Sequence, residues 1–563
     1  MNMRYMKYMK YMKYMFAAMA MFAAVAPLAA QEHKHVEVTK NYTHEVSPAK
    51  KITAPTEISY APVIEPDITY NVNPETWQIK LEDHNFNPAT ASYWDMNRPQ
   101  RFFASVATGY PLATDIALRY ATHNMRLGYF GVGIDHESNL VAETNGYGDQ
   151  LSIADSYSMS NTINVGGGLV LGRQMLEATL DYGNDIVNRY GLKTPDRIYF
   201  HDGNLRVRYG DDFVNLSRVN FAVEAEGGCW SQHLPVSSDV MRVGEYNANI
   251  GANVARDFKG NVVAITAGFG LWQGDKQTGY RDVAANIGAS YSRSFGIISL
   301  EAELQYMYDK VAGRDKASHF FMPAARLDFD FGMVEVQPYI EFATNITHNG
   351  IEALYSQNEF IAFMPMQGEF NKMASTRSYD LHFGVAGSDK SAKVAYRVYL
   401  GSSFVRDHMF WYVNEIGTFG FAQGDNTRLF AGAEVEYHPI GGLKLAASAR
   451  AHLDKTSSIY AISDPKVVSS ILAEYRLKRW KFGISGDFIG RREWSGMNFV
   501  NGKSEVAFTA PAIFDLHADV AFRVKSGVEI FVNGYNLLNQ EIFDHAYYNR
   551  NSIGFLAGVK IDF

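Results

Sequence analysis

The chain has 563 residues, with 47 glycines, 17 prolines, one cysteine and an aromatic content of 14%. Its formal net charge of −8 argues against nucleic acid as a partner. The lone Cys229 excludes a disulfide framework and any paired-cysteine metal or redox site, and outside the N-terminus no apolar run is long enough for a spanning helix.

Residues 1–30 read as a cleaved export signal. Arg4, Lys7, Lys10 and Lys13 precede an apolar stretch from Met15 to Ala30, with small residues before Gln31. Residues 31–99 form a second unit. Pro48, Pro55, Pro62, Pro66, Pro74, Pro88 and Pro99 are dense enough to block both helix interiors and sheet ladders. The expectation is an irregular, extended segment with one short strand near 69–72. His33, His35 and His44 have no carboxylate or cysteine at ligand spacing and read as solvated histidines.

From Arg101 the hydrophobic period becomes two, so residues 100–563 are read as β-strands. Leu443, Leu445, Ala447, Ala449, Ala451 and Leu453 interleave with Lys444, Ser448, Arg450, His452 and Asp454. Phe514, Leu516, Ala518, Val520 and Phe522 interleave with Asp515, His517, Asp519 and Arg523. In the last strand Ile553, Phe555, Ala557, Val559, Ile561 and Phe563 share one face. The apolar face is aliphatic in mid-strand and aromatic at the ends, where Tyr182, Tyr306, Tyr437 and Trp480 fit interfacial girdles. Connections alternate short and long, the long ones falling near 138–159, 348–375, 407–425 and 493–511. The fold class is therefore all-β: a transmembrane antiparallel barrel of about 22 strands, with 20 as the alternative count.

Arg450, His452 and Asp454, and Asp515, His517 and Asp519, could in principle form acid–base or metal sets. Alternation supplies a simpler reading, because strands of a lipid-embedded barrel place polar groups inward, and these six are expected to line the lumen. Gly166, Gly167 and Gly168 have no helix after them, so they mark a close backbone approach or a strand kink and not a phosphate loop. Neither the G-x-S-x-G nor the H-E-x-x-H pattern occurs. The chain is read as a non-enzyme without cofactor or metal.

The run from Val528 to Asn539, VEIFVNGYNLLN, leads to a terminal aromatic strand. It resembles the last hairpin of TonB-dependent receptors, where an N-L-[FL]-N corner precedes a closing strand that ends on Phe. The stretch from Arg101 to Ile134, with Gly109-Tyr110-Pro111 between two short strands, is similar to the opening of receptor-like barrels in Bacteroidetes. The resemblance implies the Gram-negative outer membrane, lipid as surroundings and a part in uptake. It also implies a large N-terminal plug, and residues 31–99 are shorter than one. Residues 35–39 read as plain extended chain more readily than as a TonB box, so TonB as a partner is left open. The alternative function is a non-transporting barrel that serves as structural partner in an outer-membrane or periplasmic protein complex. A barrel this wide cannot be filled by its own side chains. Part of 31–99 is therefore expected against the periplasmic mouth or inner wall, with Trp77, Phe86, Tyr93 and Trp94 as contacts.

Overall fold

The computed structural model describes residues 101–563 apart from 123–126, 140–141, 146–151, 156, 193–195, 237–238, 277, 363–372, 416, 501–502 and 550–552. The expected signal, the Pro-rich segment and Trp77, Phe86, Tyr93 and Trp94 lie outside the described residues.

The main sheet has 24 strands, and two of them, Arg492–Val500 and Lys503–Ala510, form a hairpin outside the ring. Trp480–Ile489 pairs directly with Ile513–Lys525 behind that hairpin, so the closed antiparallel barrel has 22 strands. The ring closes where Phe102–Tyr110 pairs with Gly554–Asp562. The Phe102 N–H donates to the Phe563 carbonyl at 2.9 Å and the Phe563 N–H to the Phe102 carbonyl at 3.0 Å. Closure leaves no unpaired strand edge in the ring. No helix among the described residues is long and apolar enough to cross a membrane; here the strands cross.

Alternation divides the wall as the side-chain period of two requires. Leu453 is 69% exposed while His452 beside it is 8% exposed. Leu180, Leu205, Ile265, Ile287, Leu304, Leu400, Leu429 and Ile484 are likewise exposed on the outer surface. An apolar band of that extent is not left in water by a soluble protein; it faces lipid. Aromatic residues flank it, among them Tyr110, Tyr246, Phe321 and Phe555 towards one end and Phe258, Phe295, Tyr437 and Trp480 towards the other.

The abundant glycines find a use in the wall. Tyr129 lies over Gly168, Tyr339 over Gly384 and Tyr399 over Gly432, each ring directly across the ladder from its glycine. A Cβ at Gly168, Gly384 or Gly432 would stand 2.4–2.6 Å from a ring carbon. The triple glycine thus marks the close approach that the sequence leads one to expect.

We call the end carrying Phe102 and Phe563 proximal and the other distal. Proximal turns are mostly tight, as at 172–173, 296–297, 478–479 and 526–527. The distal connections 140–157, 348–375, 490–512 and 536–553 are the long ones. Two stretches expected as loops are strands. Val394–Glu415 and Thr418–Tyr437 run through most of 407–425. The polar pair Arg406-Asp407 is a β-bulge: Asp407 has φ of 54° and the register shifts between Val405 and His408. The stretch 493–511 is the outer hairpin, which touches the long Val394–Glu415 strand through Tyr412↔Ser495.

Candidate functional site: a capped mouth over a polar wall

Distal connections meet over the mouth of the barrel. The strand Gln337–Thr347 ends below a short helix, Ile351–Gln357, that folds inward. Ile351, Leu354 and Tyr355, at spacings of three and four, form its buried face. The face is received by aromatic rings of the inner wall: Tyr355 stacks on Trp230 at 5.2 Å and meets Phe200 at 5.9 Å.

A buried carboxylate pins the start of the helix. Glu245 Oε2 accepts the Ile351 N–H at 2.5 Å and the Glu352 N–H at 3.3 Å, and it also accepts the Tyr280 hydroxyl. These donors are among those a first helical turn leaves without an internal partner. Gly350 makes the approach possible, since a Cβ there would be 2.5 Å from Glu245 Oε2.

Burial at the start of the helix raises the Glu352 carboxyl to about 8, with the nearby Glu245, Asp202 and Glu226 adding to the shift. His348, stacked on Trp272 at 4.2 Å, is held down to about 3 by burial. Asp282 stands 3.5 Å from its Nε2, yet that nitrogen makes no hydrogen bond, so burial decides and the ring is neutral.

The second half of the cap joins opposite sides of the ring. Gly191 follows the fifth strand of the ring, Gln174–Asn188, and Gly417 follows the fifteenth, Val394–Glu415. A Cβ at Gly417 would lie 2.6 Å from the Gly191 carbonyl oxygen, so these two backbones touch half a ring apart. Gly417 has φ of +82°, which L side chains rarely adopt. Tyr548, from the last connection, donates its hydroxyl to the Gly417 carbonyl at 2.5 Å. Its ring stacks on Phe360 at 3.5 Å, and His545 meets both Phe360 and Phe419 edge-on. Tyr190 donates to the Asn549 carbonyl. Phe360, Phe419 and Tyr548 are all nearly inaccessible.

Below the cap lie the residues singled out from sequence. Arg450, His452 and Asp454 share the polar face of Leu443–Thr456. Arg428 Nε donates to Asp454 at 2.7 Å and Nη2 to Asp464 at 2.8 Å, while His452 Nε2 stands 3.1 Å from Asp454. The Arg450 guanidinium covers the Phe430 ring at 5.3 Å. On Ile513–Lys525, His517 Nε2 stands 3.2 Å from Asp515, and the Asp519 carboxylate lies over Gly483. The two triplets are on strands separated by Val467–Leu477 and Trp480–Ile489, so they do not form one cluster. Among the described residues no group of three or more His, Cys, Asp or Glu could hold a metal ion.

Sequence reasoning missed the cap residues Glu245, His348, Gly350, Glu352, Phe360 and Tyr548. The spacing of Ile351, Leu354 and Tyr355 was a usable helix signal; Glu245 on an alternating strand reads as any other wall acid.

No protein-family model and no curated protein matches the sequence. Solved structures do match in fold. The copper transporter OprC superposes with a TM-score of 0.62 at 16% identity, over 82% of this chain and 80% of that one. The FrpB iron transporter from Neisseria meningitidis gives 0.66 at 9% identity, over 83% and 82%. The ferric-catecholate import receptor Fiu from E. coli K12 gives 0.61 at 10% identity, over 83% and 82%. At such identities the likeness is one of fold: the chain is a transmembrane antiparallel β-barrel of 22 strands with the barrel fold of these transporters.

Proposed function

We propose that this protein is a receptor-like barrel of the TonB-dependent type that takes part in uptake across the outer membrane, with its distal mouth outside the cell and its termini in the periplasm. The observation that carries the reading is the cap: connections half a ring apart meet over a polar lumen and close it, which is the arrangement of a gated path. In this reading residues 1–30 are the removed export signal. Arg450, His452, Asp454, Asp515, His517 and Asp519 line the lumen. Residues 31–99 supply the periplasmic seal, through Trp77, Phe86, Tyr93 and Trp94.

The test is a cross-link. In a Cys229→Ser background, Phe360→Cys and Tyr548→Cys are joined by a reversible thiol cross-linker on whole cells. Uptake-dependent growth restored to a deletion strain should stop when the cap is locked and resume on reduction. Growth unaffected by the lock would refute gating through this cap. A second reading, a barrel that is a structural partner and transports nothing, draws on the burial of Tyr355, Phe360 and Tyr548 against one another: the cap spends its aromatic groups on its own closure. That reading expects a stoichiometric protein partner on purification in mild detergent and no uptake phenotype.

A further inference from the structure

Two neighbouring proximal turns gather four cations. Lys478 and Arg479 connect Val467–Leu477 to Trp480–Ile489, and Arg523 and Lys525 end the strand that precedes the turn at 526–527. The strands pair directly, with Trp480 opposite Phe522. The Arg523 N–H donates to the Arg479 carbonyl at 2.8 Å, and Arg479 Nη1 donates to the Val524 carbonyl at 3.5 Å. The two turns are therefore held side by side, and all four cationic side chains are exposed.

Some cations at this end sit against an acid. Arg173 is paired with Asp211, Lys390 with Glu335, and Arg476 with Glu474. Lys478, Arg479, Arg523 and Lys525 have no ion pair among the described residues, not even Arg523 with Glu529 across the ladder. Neither turn contains an acid. Four cations at close quarters repel one another and concentrate anions around them.

The apolar neighbours decide which anion. Trp480 stacks on Phe482 at 5.8 Å and packs against Phe522 at 4.6 Å on the outer surface, where Leu477 and Val524 are also exposed. The cationic turns are thus continuous with the lipid-facing band. An occupant must be anionic on one side and apolar on the other. Tryptophan beside basic residues is the usual composition at the level of lipid headgroups.

We propose that this sector of the proximal rim binds an anionic phospholipid of the periplasmic leaflet, its phosphate among Lys478, Arg479 and Lys525 and its acyl chains along Trp480, Phe482 and Phe522. The inference rests on the orientation given under Proposed function.

The test uses the full-length protein in neutral detergent, titrated with phosphatidylglycerol and with phosphatidylcholine of the same chain length and read by native mass spectrometry. Wild type should retain phosphatidylglycerol preferentially, and less so as salt rises. Each cation removed should weaken that retention about fivefold, so the variant carrying Lys478→Gln, Arg479→Gln and Lys525→Gln should treat the two lipids alike. If that variant loses the heat-modifiable mobility of a folded barrel, the pair Lys478→Gln and Lys525→Gln carries the test, with an expected loss of about twenty-five-fold. Equal retention of both lipids by wild type overturns the proposal, as does a folded variant that keeps the preference. Displacement by millimolar inorganic phosphate also overturns it, assigning the turns to a soluble anion. Cell fractionation that finds the protein outside the outer membrane would sink the functional reading while leaving the lipid titration as measured.

Discussion

Ala447 and Ser448 are adjacent and differ in everything but position. Ala447 faces outward between Val435 and Ile471 in register, whereas Ser448 lies across from Glu434 and Ser470 on the polar face. Ala447→Arg places a cation in the apolar band and should cost about 2–4 kcal/mol near the midplane. Ser448→Arg gains an acid opposite and should be mild. Folding titrations into lipid vesicles that give equal effects would contradict the assignment of faces. Gly417 makes a second demand at this scale. A Cβ there meets the Gly191 carbonyl, and a left-handed backbone costs a non-glycine residue about 1–2 kcal/mol. Gly417→Ala should leave the barrel folded but open the seam, seen as faster amide exchange at 189–192 and 545–549 with unchanged exchange in the wall strands. Uniform protection across both regions would show that the glycine contact does not hold the seam.

At the scale of elements, the strands were legible and the cap was not. The alternation from Leu443 to Asp454 is the strand Leu443–Thr456, and that from Phe514 to Arg523 is Ile513–Lys525. Each is specified locally, because one face meets lipid and the other water at every second residue. The polar wall that holds Arg450, His452, Asp454, Asp515 and His517 follows from the same rule. The cap contacts join Glu245 to Ile351, Gly417 to Tyr548 and Tyr190 to Asn549, separations of 106, 131 and 359 residues. Such contacts leave no periodic trace in either partner. The helix they hold has a pH dependence that can be worked out. The Glu352 carboxyl is raised from 4.5 to about 8 when docked, so the docked state holds its proton more tightly. That contribution is complete below 4.5 and is lost as pH rises towards 8. His348 is lowered from 6.5 to about 3, so its contribution is complete above 6.5 and is lost as pH falls towards 3. Between 4.5 and 6.5 the two slopes oppose each other, and docking is at its plateau. A polarity-sensitive dye on Ser356→Cys, in the Cys229→Ser background, should report a buried helix across that plateau and exposure on both sides. Glu352→Gln should abolish the alkaline limb alone; an unchanged alkaline limb in that variant would assign it to another group.

For the whole molecule the question is what keeps a ring of 22 strands from being a hole. Barrels of this width have a lumen that side chains cannot fill, and an unobstructed one would conduct freely. The cap closes the distal mouth with packed aromatic groups and a backbone contact across the diameter. The proposal above assigns a second closure, at the periplasmic side, to residues 31–99. Two closures along one path act in series, so removing either alone leaves the current small. Deleting 31–90 in an otherwise intact protein should therefore change conductance in planar bilayers little. Phe360→Ala with Tyr548→Ala, which removes the stacked pair at the centre of the cap, should likewise raise it little while the segment remains. The combination should give the large, weakly selective conductance of an open barrel. Each failure has its own meaning. Large current from the deletion alone shows that the cap is not a seal. Large current from the two cap substitutions alone shows that residues 31–99 are not one. Low current from the combination, with heat-modifiable mobility confirming a folded barrel, means that the lumen is obstructed by neither, and the two-closure account falls.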